Sequence, residues 1–359
     1  MSRLKKILIT AAGGAPALNF VRSLRESKDK FWIVGVDSNK YTLQRAEVDE
    51  KFLIPKVKDE SYSKVLMDII KETNVEFLHC QMSYEMIMIS ELRDKLNLKT
   101  FLPSHNTIVT CEDKYASYAY WKKANLPVPE TRFLNNEQDL KESFKQFGPK
   151  LWLREISGSA GKGSLPTIDF EEAKRWIDLH KGWGKFTAAE CLEPETITWQ
   201  SIWNNGELVV AQGRKRLYWE FSNRTPSGVT GITGTGVTVS DPVVDEIALK
   251  AILAIDKKPN GIFGVDLTYN KAGVPNLTEI NIGRFFTTHY FFTAAGLNMP
   301  DIYVQLGFGE APEKIEKKIN PLPENLAWVR GMDCEPILIP MNKINEYEIA
   351  LNERISAMK

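Results

Sequence analysis

Gly264-Val265-Asp266-Leu267-Thr268-Tyr269, then Asn270-Lys271-Ala272-Gly273, then Val274-Pro275-Asn276-Leu277-Thr278-Glu279-Ile280-Asn281 is the stretch on which the reading of this chain turns. Two β-prone runs flank a turn-forming tetrapeptide, which spells a β-hairpin. With Lys271-Ala272 as a two-residue loop, Asp266 is expected to face Leu277. Glu279 is then its diagonal neighbour on the same face, and Asn281 shares that face two residues on. Three oxygen donors converge, two of them carboxylates. Acids side by side in otherwise apolar strands call for a cation, and hard oxygen donors suit Mg²⁺ or Mn²⁺, with nucleotide phosphates completing the coordination.

Upstream lies a second informative stretch, Leu151-Trp152-Leu153-Arg154-Glu155-Ile156 followed by Ser157-Gly158-Ser159-Ala160-Gly161-Lys162-Gly163-Ser164. A β-run ends in a cation and opens into a loop of small residues, whose amides can approach a polyphosphate closely. Arg154 and Lys162 supply positive charge there. The spacing is not that of a P-loop, and a plain hairpin loop is the competing reading. Between these stretches, Ala188-Ala189-Glu190-Cys191-Leu192-Glu193-Pro194-Glu195-Thr196 reads as a strand, a hinge at Pro194 and a strand resuming to Trp203. Such a hinge can offer backbone groups to a base and a carboxylate to ribose hydroxyls. Arg214 and Arg216 alternate on one strand face; they suit a transferred phosphoryl group or an anionic substrate, or are a surface pair. The segment 222–236, with Arg224, reads as a lid over the acceptor. His289 is expected to be packing, and Met82, Met86 and Met88 to be core.

Residues 1–100 alternate strand and helix signals: strands near Ile7–Thr10, Phe31–Asp37, Phe52–Pro55 and Val75–Cys80, helices over Ala17–Leu24 and Tyr62–Ile70. That alternation implies a parallel, doubly wound sheet, with ligands expected at its carboxyl edge. A dinucleotide site is disfavoured. Gly13-Gly14-Ala15-Pro16 departs from G-x-G-x-x-G and Pro16 removes an amide donor, even though Asp37 ends the second strand where a ribose-binding acid would sit. The basic, apolar start resembles a signal peptide only superficially, and a first strand is the better reading. Ile108 to Ala124 reads as one helix containing Asp113-Lys114. Residues 321–359 read as an appendage broken by Pro321, Pro323, Pro336 and Pro340.

The 359 residues suit two or three domains. Lys+Arg and Asp+Glu are 46 each, which argues against a broad nucleic-acid face. No run approaches the roughly 20 apolar residues of a membrane span. The four cysteines, Cys80, Cys111, Cys191 and Cys334, are scattered without a CxxC pair, so a reducing cytoplasm is expected, with neither disulfides nor zinc.

The order Asp113-Lys114, Arg154 with its glycine loop, the Glu190–Glu195 hinge, then Asp266, Glu279 and Asn281 resembles the ATP-grasp superfamily. It is most similar to single-module proteins like the large chain of carbamoyl phosphate synthase, over residues 5–310. The resemblance implies a mixed α/β and α+β fold, a Rossmann-like pre-ATP-grasp domain followed by a two-subdomain ATP-grasp fold. It implies four segments: 1–107 as the pre-ATP-grasp domain, 108–186 as the small subdomain with the glycine loop, 187–320 as the subdomain with the metal site, and 321–359. It implies further that Lys114 and Arg154 reach nucleotide phosphates, that Gly158, Ser159, Gly161, Lys162 and Gly163 close over them, and that Glu190 and Leu192 meet adenine and Glu195 ribose. Asp266, Glu279 and Asn281 would hold two Mg²⁺ ions, with Mn²⁺ the alternative ion. The family's arginine follows Asn-Pro directly; here Ile282-Gly283 intervene and displace Arg284 by one. Arg284, Arg216 and Arg214 are the catalytic candidates. The implied activity is an ATP-dependent ligase that activates a carboxylate as an acyl phosphate for attack by an amine and releases ADP and phosphate. A bicarbonate-using, carbamoyl-phosphate-forming enzyme and a non-catalytic ATP-binding regulator are the alternatives. Small-molecule acid and amine substrates are implied as partners, with no nucleic acid and no membrane, and a homodimer is an allowed assembly.

Overall fold

The structure is a computed structural model that describes residues 3–158, 161, 163–220, 222–224, 226, 232–331 and 337–358. Five strands, β1 (Lys5–Ile9), β2 (Phe31–Asp37), β3 (Glu50–Leu53), β4 (Phe77–His79) and β5 (Lys99–Thr100), form a parallel sheet in the order β3-β2-β1-β4-β5. Ile7, Leu8, Ile9, Ile33, Val34 and Val36 are all fully buried. Continuous apolar runs of this kind belong to strands covered on both faces, as crossover helices demand. Helix Tyr62–Thr73 shows the matching logic. Tyr62, Val65, Leu66, Ile69, Ile70 and Thr73 form its buried stripe, and Asn74 ends it in the left-handed conformation at φ 52°.

The tight turn after β1 is closed on itself. Gly13 N–H donates to Asp37 Oδ2 at 3.1 Å, and a Cβ at Gly13 would lie 1.8 Å from the carbonyl oxygen of Thr42. Asp37 therefore serves its own loop, in keeping with the disfavoured dinucleotide reading. Of the three methionines expected in the core, Met86 is buried, Met88 half-buried and Met82 exposed; Met82 precedes the first turn of helix Ser83–Leu92 and points away from it.

The helix expected over 108–124 is two helices, His105–Glu112 and Lys114–Lys123. Asp113 breaks it: its backbone is extended (φ −96°, ψ 107°) and its carboxylate accepts the N–H groups of Tyr115 and Ala116, both at 2.9 Å. An aspartate gains more as the N-cap of a new helix than as an interior residue of a longer one.

A small antiparallel sheet follows, from β6 (Thr131–Leu134), β7 (Leu151–Glu155), β8 (Leu165–Thr167) and β9 (Phe186–Glu190), in the order β6-β9-β7-β8. Helices Glu137–Phe147 and Phe170–Leu179 back it through a separate core that includes Leu140, Leu153, Ile177 and Phe186. The third sheet comprises β10 (Thr196–Asn204), β11 (Glu207–Glu220), β12 (Ile232–Val239), β13 (Gly261–Tyr269), β14 (Pro275–Ile282) and β15 (Ala327–Val329), in the order β14-β13-β10-β11-β12-β15. Segment 321–359 thus supplies an edge strand. It also supplies helix Met341–Ala357, which returns to the parallel sheet, where Arg354 pairs with Asp68 and Glu72 and lies over Phe52. Among the described residues, no helix is long and apolar enough to cross a membrane, and Cys80, Cys111 and Cys191 are free thiols; Cys334 lies outside them.

Candidate active site

The β13–β14 hairpin places the acids, by a register that differs from the expected one. Asn270 Oδ1 accepts the N–H groups of Ala272 and Val274, each at 3.0 Å, and Gly273 takes φ 75°. The loop is therefore Lys271-Ala272-Gly273, one residue longer than expected, and Leu267 pairs with Leu277. The ladder then slips by one at Thr278, a bulge whose hydroxyl donates to the carbonyl of Asp266 at 3.0 Å. Beyond the bulge Asp266 is directly opposite Glu279, and Asn281 is opposite Gly264. The three side chains keep a common face, with Glu279 facing Asp266 rather than diagonal to it.

The acids are not bare, contrary to the sequence argument. Asp266 accepts Thr198 Oγ1 at 2.6 Å, Arg216 Nη2 at 2.9 and 3.0 Å, and Asn281 Nδ2 at 3.1 Å. Burial works to raise its carboxyl, but Arg216, the Thr198 hydrogen bond and Arg214 outweigh it and hold it below the usual carboxylate range. Glu279 Oε2 lies 3.8 Å from Lys114 Nζ. Burial and Arg154 depress the Lys114 ammonium, while Glu279 acts in the opposite direction.

Cations dominate the surroundings. Arg214 is 1% exposed. It donates to Thr288 Oγ1 at 2.5 Å and Thr198 Oγ1 at 2.9 Å and stacks over Phe286 at 4.2 Å, and its Nε has no partner. Arg216 lies over Trp219 at 4.7 Å. Gly283 turns the chain after β14 at φ 64°, where a Cβ would strike Met86 Sδ, and this turn brings the displaced Arg284 back to donate to Asn281 Oδ1 at 2.5 Å. Arg154 donates to the Thr278 carbonyl at 2.9 Å, and Lys114 Nζ to the Gly158 carbonyl at 2.7 Å, so each ties the small sheet or its loop to the hairpin side.

These groups line one cleft of about 650 Å³ between the small and the large sheet. Gly158 and Gly161 line its rim, and Gly163 (φ 75°) packs so closely that a Cβ would lie 2.9 Å from Glu155 Cγ. Ser159 and Lys162 lie outside the described residues, as do 225, 227–231 and the Arg224 side chain of the expected lid. Trp152, Pro166, Ala189 and Leu192 are the apolar residues the small sheet and its hinge add to the lining, the kind of surface that takes a planar base. Glu190 lines the cleft while accepting the Glu130 N–H at 3.1 Å. Glu195 turns elsewhere: Lys215 holds it at 2.8 Å, and it borders a neighbouring hollow, whereas Glu193 borders both that hollow and the cleft. His289 is fully buried, donates from Nδ1 to the Phe286 carbonyl at 2.8 Å, and packs on Phe285; it is core, as expected.

Sequence reading did not single out Thr198, which bridges Asp266 to both strand arginines, or the Ser83–Glu112 pair, which lines the cleft from the side of the parallel-sheet domain. Glu112 does stand directly before Asp113-Lys114, but an acid ending a helix carries no signal until the break at Asp113 is known.

Residues 7–101 match a family model described as PylC-like, N-terminal domain. No curated protein matches the chain. Among solved structures, the chain is similar to the biotin carboxylase domain of 2-oxoglutarate carboxylase from Hydrogenobacter thermophilus, in complex with MgADP, ADP and bicarbonate. The TM-score is 0.69 at 16% identity over 90% of this chain and 73% of that one. It is similar to an ATP-bound carboxyaminoimidazole ribonucleotide synthase from Aspergillus clavatus, at TM-score 0.65 and 16% identity, covering 88% and 79%. It is similar also to an L-amino acid ligase from Bacillus licheniformis, at TM-score 0.65 and 13% identity, covering 86% and 75%. The fold is the ATP-grasp fold with its preceding α/β domain.

Proposed function

We propose that the protein is an ATP-dependent ligase that phosphorylates a carboxylate and passes the acyl group to an amine, releasing ADP and phosphate. The observation that carries this reading is the facing pair Asp266 and Glu279, with Asn281 beside them, ringed by Lys114, Arg154, Arg216 and Arg284 in a single cleft. The structural neighbours with bound ATP or MgADP support it, since nucleotide sits in proteins of the same fold.

The donor set fits magnesium. Two opposed carboxylates and an amide supply hard oxygens, and nucleotide phosphates complete the shell. Asp266, Glu279 and Asn281 would hold the metal, with Arg216 released from Asp266; the ion would offset charge on the β- and γ-phosphates. The chain's own residues do the rest. Lys114 and Arg154 grip phosphate oxygens, Arg154 bidentately. The loop around Gly158 and Gly161 covers the nucleotide and excludes water. The surface of Trp152 and Leu192 takes the adenine, Glu190 borders it, and Glu193, rather than Glu195, serves the ribose. Arg284 and Arg216 hold the charge that develops on the phosphoryl group as it moves from ATP to the carboxylate oxygen. Arg214, buried behind Thr198 and Thr288, supports the anionic substrate end. The neutral amine nitrogen then attacks the acyl carbon, the bond from that carbon to the phosphate oxygen breaks, and the departing phosphate takes the proton the nitrogen loses; no side-chain nucleophile is needed.

The test is ADP and phosphate release with Mg-ATP against a panel of carboxylates and amines. Release that requires both partners supports the ligase. Turnover with bicarbonate alone would transfer the reading to a bicarbonate-using enzyme, and nucleotide binding without turnover on the whole panel would leave a regulator.

A further inference from the structure

The cleft carries equal numbers of basic and acidic side chains, so an incoming amine has to find an acid that no base already holds. Six acids line it among the described residues: Glu112, Glu155, Glu190, Glu193, Asp266 and Glu279. Five are already committed. Asp266 is held by Arg216 and Glu279 lies beside Lys114. Glu155 packs under the glycine loop against Gly163, Glu190 accepts the Glu130 amide, and Glu193, between the cleft and the neighbouring hollow, is the acid assigned above to the ribose. Glu112 remains. It closes helix His105–Glu112, where the exposed carbonyls of a helix end disfavour a carboxylate. Ser83, from the first turn of the helix after β4, lines the cleft with it. Burial raises its carboxyl above the usual range, with Ser83, Arg284 and Lys114 acting in the opposite direction and Glu279 adding to the rise. Among the described residues Glu112 has no ion pair, and it lines the cleft.

We infer that Glu112 is the specificity-determining residue that receives the amine substrate, accepting N–H hydrogen bonds from a primary amine entering as its ammonium. The inference rests on the ligase reading and deepens it. The nucleotide's end of the cleft repels a cation, whereas Glu112 beside Arg284 attracts one to the place where the activated acyl group would be held. A primary amine is thereby preferred to an alcohol or to a quaternary ammonium, which has no N–H to give.

The experiment is calorimetric titration of n-propylammonium chloride into the full chain with magnesium and the non-hydrolysable analogue AMP-PNP, with tetramethylammonium chloride as the matched control. Propylammonium is expected to bind and tetramethylammonium not to. Glu112→Gln is expected to weaken propylammonium by at least about tenfold, the scale of one hydrogen bond to a charged group. Glu112→Asp should stay within about threefold of the parent, and the AMP-PNP affinity should stay unchanged in both variants. Equal propylammonium affinity in parent and Glu112→Gln overturns the inference, as does no binding to the parent. So does a parallel loss of AMP-PNP affinity, which would assign Glu112 to holding Arg284 or the nucleotide. The titration needs no turnover: amine binding that depends on Glu112, with no acid–amine pair ever consuming ATP, would sink the ligase reading and leave this one standing.

Discussion

Two glycine turns follow β-strands in this molecule, and they have opposite fates. The turn at Gly13-Gly14 is sealed. Its amides go to Asp37 and to the Ala11 carbonyl, and the backbone of Thr42 fills the space where a side chain would be. The turn that begins at Gly158 is open. Its carbonyl is held by Lys114 from another segment, Gly158 and Gly161 border the cleft, and a Cβ at Gly158 would meet only Glu155 Oε2 at 3.8 Å. A glycine loop is thus a fold device when its donors are satisfied locally and a ligand device when its partners come from elsewhere. The sequence pattern is similar; the partners differ.

The largest effect expected is on the side of the open loop. Glu279→Gln removes one of the facing carboxylates and should lower ATP turnover by about a thousandfold, equivalent to several kcal/mol, with the melting temperature preserved; undiminished ADP release would sink the metal assignment. Next is the sealed loop. Gly13→Ala forces a Cβ to 1.8 Å from a backbone oxygen and should cost about 3 kcal/mol or more, seen as a large drop in melting temperature. A near-normal melt would show that the turn can open and would end the contrast.

A third prediction concerns the junction behind the sealed loop, where Phe20 stacks on His79 at 4.0 Å and neighbours His289. Burial lowers His79 from 6.5 to about 3, with His289 adding to the fall, and burial lowers His289 to about 4. A depressed folded pKa leaves the neutral form's stability intact above pH 6.5 and removes it as pH falls toward those values. Stability should therefore decline by about 3 kcal/mol for His289 between pH 6.5 and 4. His289→Phe should flatten that part of a melting curve series; an unchanged slope would mean the imidazole is not buried neutral.

Smaller effects are expected in the open region. Arg154→Lys forfeits the fork that donates to the Thr278 carbonyl and, on the proposed function, would grip phosphate; the KM for ATP should rise roughly tenfold with the fold intact. Gly158→Ala, at φ 105°, costs about 1–2 kcal/mol of local strain. It should weaken nucleotide binding by a few fold while barely moving the melt, the reverse of Gly13→Ala.

Much of this was legible. The strand Phe31–Asp37 ends where expected because a fully buried apolar run has few alternatives. The two hairpin strands, and the shared face of Asp266, Glu279 and Asn281, follow from a period of two. The register was not legible: a loop one residue longer and a bulge at Thr278 each shift it by one, and only their sum restores the face and sets Glu279 opposite Asp266. Nor did local sequence give the ion pair of Arg216 with Asp266, which joins strands separated by fifty residues, or the meeting of Ser83 and Glu112 in the cleft lining.

By itself the sequence determined which segments are buried strands, where the glycine loops fall and which residue types could bind a nucleotide and a metal, because those features are written in periodicity and composition over short windows. Tertiary structure alone decided which glycine loop is sealed and which is open, which acids already have cations, and that Arg284 regains the cleft despite its displacement. Those outcomes depend on charges and backbone groups meeting across long sequence separations, and no local window contains both partners.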